Sequence, residues 1–173
     1  MDLSSYAALP EPPQKPTATT ILIRVVDATA ARYYWATEGL RQSEMDYRPG
    51  PESMTILGLL RHVHGLAARC KRAMAGEAQP QAPAPQPPAP IEDLETLRRE
   101  TLENLSALRE RLGAMTDEDL NSVIVNKMPF WFLINGPLID MASHIGQVNG
   151  WRRLAGNPTL KSTHFKGDAP KKA

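Results

Sequence analysis

Residues 94–112, LETLRRETLENLSALRERL, decide the fold class of this chain. Apolar or small side chains recur every three or four residues along the stretch, with charged residues between them, which is the spacing of one face of an α-helix. That face contains Leu94, Leu97, Thr101, Leu105, Leu108 and Leu112. A leucine stripe of this kind is typical of a helix that packs into a protein core. The remaining sequence predicts three more such helices.

The first predicted helix follows Pro16 and runs to about Leu40. Thr17 or Thr19 is able to cap its first turn, because a threonine hydroxyl accepts a hydrogen bond from a free backbone N–H at a helix start. Apolar and small side chains again recur three and four residues apart, which predicts a buried face. This face contains Leu22, Val26, Thr29, Tyr33, Ala36 and Leu40.

The second predicted helix begins near Ser53 or Thr55, since the prolines and glycine of residues 48–51 cannot continue a helix. Its apolar stripe contains Ile56, Leu59, Leu60, Val63, Ala67, Cys70 and Met74. Because Cys70 lies within this stripe, we interpret it as a core residue and not as a nucleophile.

The fourth predicted helix starts at about Pro129 or Pro137 and extends through Leu154. The sequence Gly156-Asn157-Pro158 closes it, since glycine and proline commonly follow the end of a helix. No stretch alternates well enough to demand a sheet. Residues 123–125 are the only plausible strand, and no partner for them is predicted.

One domain is expected, because 173 residues suffice for one core and are short for two. Its fold class is all-α, a four-helix bundle over residues 17–158. The Ala-, Gln- and Pro-rich residues 76–90 are predicted to form an extended crossover linker inside the bundle. Residues 1–16 are predicted to be a disordered or extended segment, and residues 159–173 a lysine-containing tail.

The composition excludes several classes of function. A formal net charge of +1 provides no field that would hold nucleic acid or an anionic membrane. A chain with one cysteine forms no internal disulfide, which is typical of a reducing compartment. No apolar run approaches the roughly 20 residues that span a bilayer, and no export signal is apparent. A cytoplasmic protein is therefore expected.

Titratable residues on the predicted helices identify a candidate site. Asp140 and His144 are four residues apart, so they leave the same side of the fourth helix, at the margin of its apolar stripe. The pair indicates either an ordinary hydrogen bond or two ligands for a divalent metal. His62 and His64 on the second helix each lie about 100° from the centre of its stripe, on opposite sides, so periodicity does not choose a third ligand. His164 is interpreted as a tail residue.

Two segments resemble a known family. Residues 55–62, TILGLLRH, and residues 136–147, GPLIDMASHIGQ, resemble the two metal motifs of the DinB-like (YfiT-like) superfamily of metal-binding bundles. In that family a small hydroxyl residue precedes the first ligand by seven positions, and the second motif is a ligand, three residues, then His-x-Gly-Gln. Residues 151–158 also resemble the family's helix ending. The resemblance runs from the first helix to Pro158, apart from the linker.

The resemblance implies that His62 joins Asp140 and His144 as a three-ligand metal site. The commonest family pattern has histidine where Asp140 stands, whereas relatives similar to mycothiol-dependent maleylpyruvate isomerase place a carboxylate there. Aspartate is a suitable ligand for zinc, nickel or manganese. Gln147, one turn past His144, either orients a ligand, lines the pocket or faces solvent. Four aromatic residues are candidate pocket walls, or else core residues: Tyr33, Tyr34 and Trp35 on the first helix, and Trp151.

The implied function is that of a metal-dependent enzyme acting on a small molecule. Three protein ligands leave a coordination position open, and similar bundles use the metal to activate a thiol or to support hydrolysis. A thiol transferase with a low-molecular-weight thiol as cofactor, or a hydrolase, is therefore predicted. The alternative is a non-catalytic metal-binding or dimerisation bundle linked to stress response. A two-fold homodimer is expected through apolar faces of the first and third helices.

Overall fold

The computed structural model describes residues 3–75, 92–125 and 127–160. The predicted linker, His164 and the end of the tail lie outside these residues. The α-helices are α1 (Ala18–Thr37), α2 (Ile56–Met74), α3 (Leu94–Gly113), α4 (Asp119–Ser122), α5 (Trp131–Leu133) and α6 (Ile139–Leu154). Short 3-10 helices cover Leu3–Tyr6 and Gln42–Glu44, and a π-helical turn covers Ile134–Leu138. The strands are β1 (Ile124–Val125) and β2 (Met128–Pro129).

The core lies between the four long helices, as the stripes predict. Helix α3 packs against α1 and α2, and α6 packs against the same two helices on the other side. Every residue of the predicted stripes of α1 and α2 is buried, and so are those of α3 except the half-buried Leu94. The prediction of an all-α bundle is therefore confirmed.

Two threonines start the first two long helices. Thr17 caps α1, since its hydroxyl accepts from the backbone N–H of Thr20 at 3.3 Å. Thr55 caps α2, where its hydroxyl accepts from the N–H of Gly58 at 3.0 Å. Both hydroxyls satisfy donors that have no partner inside the helix. Helix α2 therefore begins one residue after Thr55, and this capping threonine precedes His62 by seven positions.

The carboxylate of Asp117 also binds the start of α1. It accepts hydrogen bonds from the backbone N–H of Ala18 at 3.0 Å and from that of Thr19 at 2.9 Å. The hydroxyl of Thr19 donates to it as well, at 2.8 Å. A residue of the turn before α4 thus completes the N-terminus of a helix almost a hundred positions earlier, which closes one end of the bundle.

The last helical segment passes through a proline. Helices α5 and α6 are joined by the π-helical turn, and Pro137 lies inside that turn. Proline lacks an N–H and its ring clashes with the carbonyl four residues earlier, so the wider π turn accommodates it where an α-turn would not. Of the two predicted starts, about Pro129 and about Pro137, the structure agrees with the first, since the helical segment begins at Trp131, and Asp140 lies in the first turn of α6.

Two of the shorter segments contain elements that were not predicted. Within the N-terminal segment, residues 3–6 form a 3-10 helix, and the hydroxyl of Tyr6 donates to the carbonyl of Leu102 at 3.3 Å. Ala7, which follows this 3-10 helix, is also held in place, because the indole N–H of Trp35 donates to its carbonyl at 2.8 Å. The candidate strand also has a partner, since β1 pairs antiparallel with β2 across a turn in which Lys127 adopts a φ of 62°.

Arg152 joins the ends of α1 and α6. Its side chain is 2% exposed, and its guanidinium donates to the carbonyl oxygens of Ala36 at 2.8 Å and Glu38 at 2.9 Å. Its Nε donates to the carbonyl of Asn157 at 3.1 Å. These bonds close the end of the bundle opposite Asp117.

In the described parts of the chain, no helix combines the length and the apolar character that crossing a membrane requires.

Candidate metal centre

Helices α2 and α6 bring the three predicted ligands together. The helices pack antiparallel, with Asp140 beside His62 and, further along, Trp151 beside Met54. The Nε2 atom of His62 lies 3.1 Å from Oδ2 of Asp140, and Nε2 of His144 lies 3.2 Å from Oδ1 of the same carboxylate. The three ligand atoms all lie within 4.8 Å of one another.

The cluster is open to solvent on one side. The side chains of His62 and Asp140 are 41% and 43% exposed, whereas that of His144 is only 18% exposed. The imidazole rings of the two histidines meet edge to face, with centroids 4.6 Å apart. His144 therefore forms the inner part of the cluster, and His62 and Asp140 form its more exposed part.

The contacts of His144 bear on whether the cluster suits a cation. Its Nδ1 lies 2.7 Å from the amide oxygen of Gln147, and its Nε2 faces a carboxylate oxygen of Asp140. Both of these oxygens only accept hydrogen bonds, while a neutral imidazole carries a single N–H. When Nδ1 donates to Gln147, the lone pair of Nε2 faces the carboxylate. Either a second proton on the ring or a cation between Nε2 and the carboxylate removes this conflict. Two imidazoles and one carboxylate are a donor set that suits a divalent metal such as zinc.

His64 lies on the other side of α2. Its Nδ1 is 3.5 Å from the hydroxyl of Thr101, and its Nε2 is 4.0 Å from a carboxylate oxygen of Glu100, both on α3. Two residues along an α-helix rotate the side chain by about 200°, so the two histidines face different neighbours. Burial lowers the pKa of His64, which disfavours its charged form. The structure thus brings His62, and not His64, to the cluster.

Two of the predicted aromatic residues, Tyr33 and Trp151, lie in different parts of the bundle. Tyr33 is fully buried between α1 and α3, where its hydroxyl donates to the carbonyl of Leu97 at 3.4 Å, so it belongs to the core. Trp151 lies on the same helix as Asp140 and is half-buried. Its indole N–H donates to the carbonyl of Met54 at 2.9 Å, which holds α6 against the start of α2. The acceptor in this hydrogen bond is a backbone carbonyl, so no side-chain pattern in the sequence predicts the contact.

Cys70 is confirmed as a core residue. Its side chain is 0% exposed, and burial raises the pKa of its thiol to about 12. A thiol with so high a pKa is almost entirely protonated at neutral pH and is a poor nucleophile.

The fold and the site together define a class of protein. It is a helical bundle in which the second and the last long helices share a His-Asp-His cluster. Residues 26–148 match the family model of the DinB superfamily, and the chain belongs to that superfamily. The matched region includes all three residues of the cluster as well as Gln147. Comparisons with curated proteins and with solved structures gave no match.

Proposed function

We propose that this protein is a metal-dependent enzyme acting on a small molecule, with a divalent ion held by His62, Asp140 and His144. The observation that carries the proposal is the convergence of the three side chains from two helices, with ligand atoms within 4.8 Å of one another. The reaction is the attack of a nucleophile, either a low-molecular-weight thiol on an electrophile or water on a hydrolysable bond.

The charges and the exposure of the cluster support this chemistry. Two neutral imidazoles and one carboxylate leave a divalent ion with net positive charge, which lowers the pKa of a thiol or water that binds beside it. His144 and Asp140 lie on the same rigid helix, while the exposed side chains of His62 and Asp140 border the side from which a substrate approaches. The buried thiol of Cys70 does not compete as a nucleophile.

Metal content is the first part of the experiment. Protein produced without a histidine tag and saturated with zinc should retain about one ion per chain after desalting, measured by mass spectrometry of the metal. We expect His62→Ala and His144→Ala to lose the ion, because two remaining ligands rarely suffice. His64→Ala is the matched control and should retain zinc, since His64 faces α3. Loss of zinc in His64→Ala alone would contradict the assignment of ligands.

Activity is the second part. Epoxides, alkyl halides and unsaturated diacids would be screened with several low-molecular-weight thiols, beside a panel of esters and amides. We expect turnover to require the metal, to disappear in Asp140→Ala and to persist in Cys70→Ser. Turnover in metal-stripped protein with intact helical circular dichroism would refute the mechanism. Inactivity across the panel, in zinc-loaded protein, would favour a non-catalytic metal-binding bundle.

A further inference from the structure

Gln147 follows His144 by one turn of α6 and contacts its imidazole ring. We infer that Gln147 is a positioning residue: its amide oxygen keeps the proton of His144 on Nδ1, so that the lone pair of Nε2 points to the metal. The inference rests on the proposed metal site and concerns how that site is kept ready for the ion.

The contact with Gln147 favours a proton on one of the two nitrogens of His144. In the observed orientation of the Gln147 amide, its oxygen lies 2.7 Å from Nδ1 of His144 and accepts a hydrogen bond, so Nδ1 is the donor in this arrangement. Gln147 is half-buried, which strengthens the bond relative to one in water. In a neutral imidazole the other nitrogen, Nε2, is then unprotonated, which is the form that binds a metal.

A competing arrangement makes this preference matter. Nε2 of His144 lies 3.2 Å from Oδ1 of Asp140, so the other tautomer would donate its proton directly to that carboxylate. That hydrogen bond would place a proton between the two ligand atoms and oppose the entry of a cation. The bond to Gln147 stabilises the alternative tautomer. Gln147 therefore acts against an internal hydrogen bond that the ligands would otherwise form with each other.

Two variants separate the acceptor from the bulk of the side chain. Gln147→Leu keeps a similar volume and removes the acceptor, and we expect it to weaken Zn²⁺ binding about 10- to 100-fold, the range found when the partner of a ligating histidine is lost. Gln147→Glu keeps an acceptor and should bind Zn²⁺ at least as tightly as the wild type. Ser143→Ala is the matched control, since Ser143 is an exposed neighbour of His144. Affinity would be measured by competition with a chromophoric chelator.

Nitrogen-15 NMR of the imidazoles supplies a readout that a merely structural role would not move. In metal-free wild-type protein in mildly alkaline buffer, we expect the proton of His144 on Nδ1. In Gln147→Leu it should shift towards Nε2, and in Gln147→Glu it should remain on Nδ1. This measurement needs no metal, so it tests the inference even if the wild type fails to bind zinc, a result that would instead remove the proposed function.

Two outcomes would overturn the inference. One is a wild-type His144 that carries its proton on Nε2, which is decided without any variant. The other is a folded Gln147→Leu protein with unchanged Zn²⁺ affinity and an unchanged His144 spectrum. If Gln147→Leu does not fold, the wild-type spectrum and the affinity of Gln147→Glu still decide the question.

Discussion

At the scale of single residues, Arg152 shows how one buried charge secures the frame around the site. The last carbonyl groups of a helix have no partner within it, and a cation there also interacts favourably with the helix dipole. The guanidinium of Arg152 provides both the hydrogen-bond donor and the positive charge, because it donates to the carbonyl oxygens of Ala36 and Glu38 at the end of α1. Since Arg152 belongs to α6, it fixes that helix against α1.

Replacing Arg152 by methionine should therefore destabilise the fold. We expect a loss of about 3 kcal/mol in the free energy of unfolding, because carbonyl oxygens of α1 lose a charged donor while remaining buried. Chemical denaturation followed by circular dichroism measures this loss. Arg153→Met is the matched control, since its exposed side chain lies one position along the same helix. Equal stabilities of the two variants would show that the buried bonds contribute little.

The candidate ligands differ in how far the sequence alone could predict them. The spacing of Asp140 and His144 places them on one side of a helix, which the structure confirms. The choice between His62 and His64 depended on the family resemblance, because helical periodicity places both at the edges of the same stripe. Only the positions of α3 and α6 around α2 distinguish them. The role of Arg152 could not be predicted from the sequence, since its partners are backbone carbonyl oxygens.

At the scale of elements, the start of α1 depends on a residue distant in sequence. Hydrogen bonds from the backbone N–H groups of Thr19 and Ala18 lower the pKa of Asp117 below its usual value. A carboxylate at a helix N-terminus also interacts favourably with the helix dipole. The bond is therefore strongest when Asp117 is ionised, and it links α1 to the segment that precedes α4.

Asp117→Ala should lower the midpoint of thermal unfolding at neutral pH. Because the pKa of Asp117 is lower in the folded state, the stability it contributes is present above its unfolded pKa and is lost as the pH falls through its folded pKa. The difference in midpoint between wild type and variant should thus shrink in acid, measured by calorimetry at several pH values. Glu118→Ala serves as the control, since Glu118 is an exposed neighbour. A difference that is independent of pH would argue against an ionised cap.

Long elements were predictable and short ones were not. The stripes of α1 and α2 repeat over five turns or so, and a pattern of that length is a strong signal of a buried face. The strands β1 and β2 are two residues each, too short for alternation to be recognised. Pro137 ordinarily indicates a helix boundary, and only the π-helical turn allows the helix to continue through it. The N-terminal 3-10 helix depends on contacts with α1 and α3 that no local pattern records.

At the scale of the whole molecule, we propose that two copies of the chain associate. The stripes of α1 and α3 that motivated this prediction are buried inside the bundle, so they are not the contact surface. Outward-facing apolar side chains support a different contact surface. Ile21 is 54% exposed and Trp131 is 67% exposed. Both residues line one cavity of about 400 Å³ between α1 and α5. Apolar surface of this kind, close to a cavity, is typical of an interaction site.

Light scattering at micromolar concentration tests this association. We expect the mass of a dimer for the wild type and that of a monomer for Ile21→Asp, because a buried charge without a partner disfavours the contact. Leu154→Asp is the matched control, since Leu154 is a comparably exposed leucine on α6. A monomeric wild type would end the proposal, and dimers of Ile21→Asp would place the contact elsewhere.

The burial of Cys70 has a consequence for how binding can be detected. The chain contains one cysteine, so each molecule modified by a thiol reagent is one in which α2 has opened. His62 lies about two turns earlier on the same helix and contacts Asp140 of α6, so an opening that detaches α2 from α6 also separates these two residues. A ligand that holds α2 against α6 therefore delays the labelling of Cys70. The slowing of one chemical reaction then reports occupancy of the site, without the substrate being known.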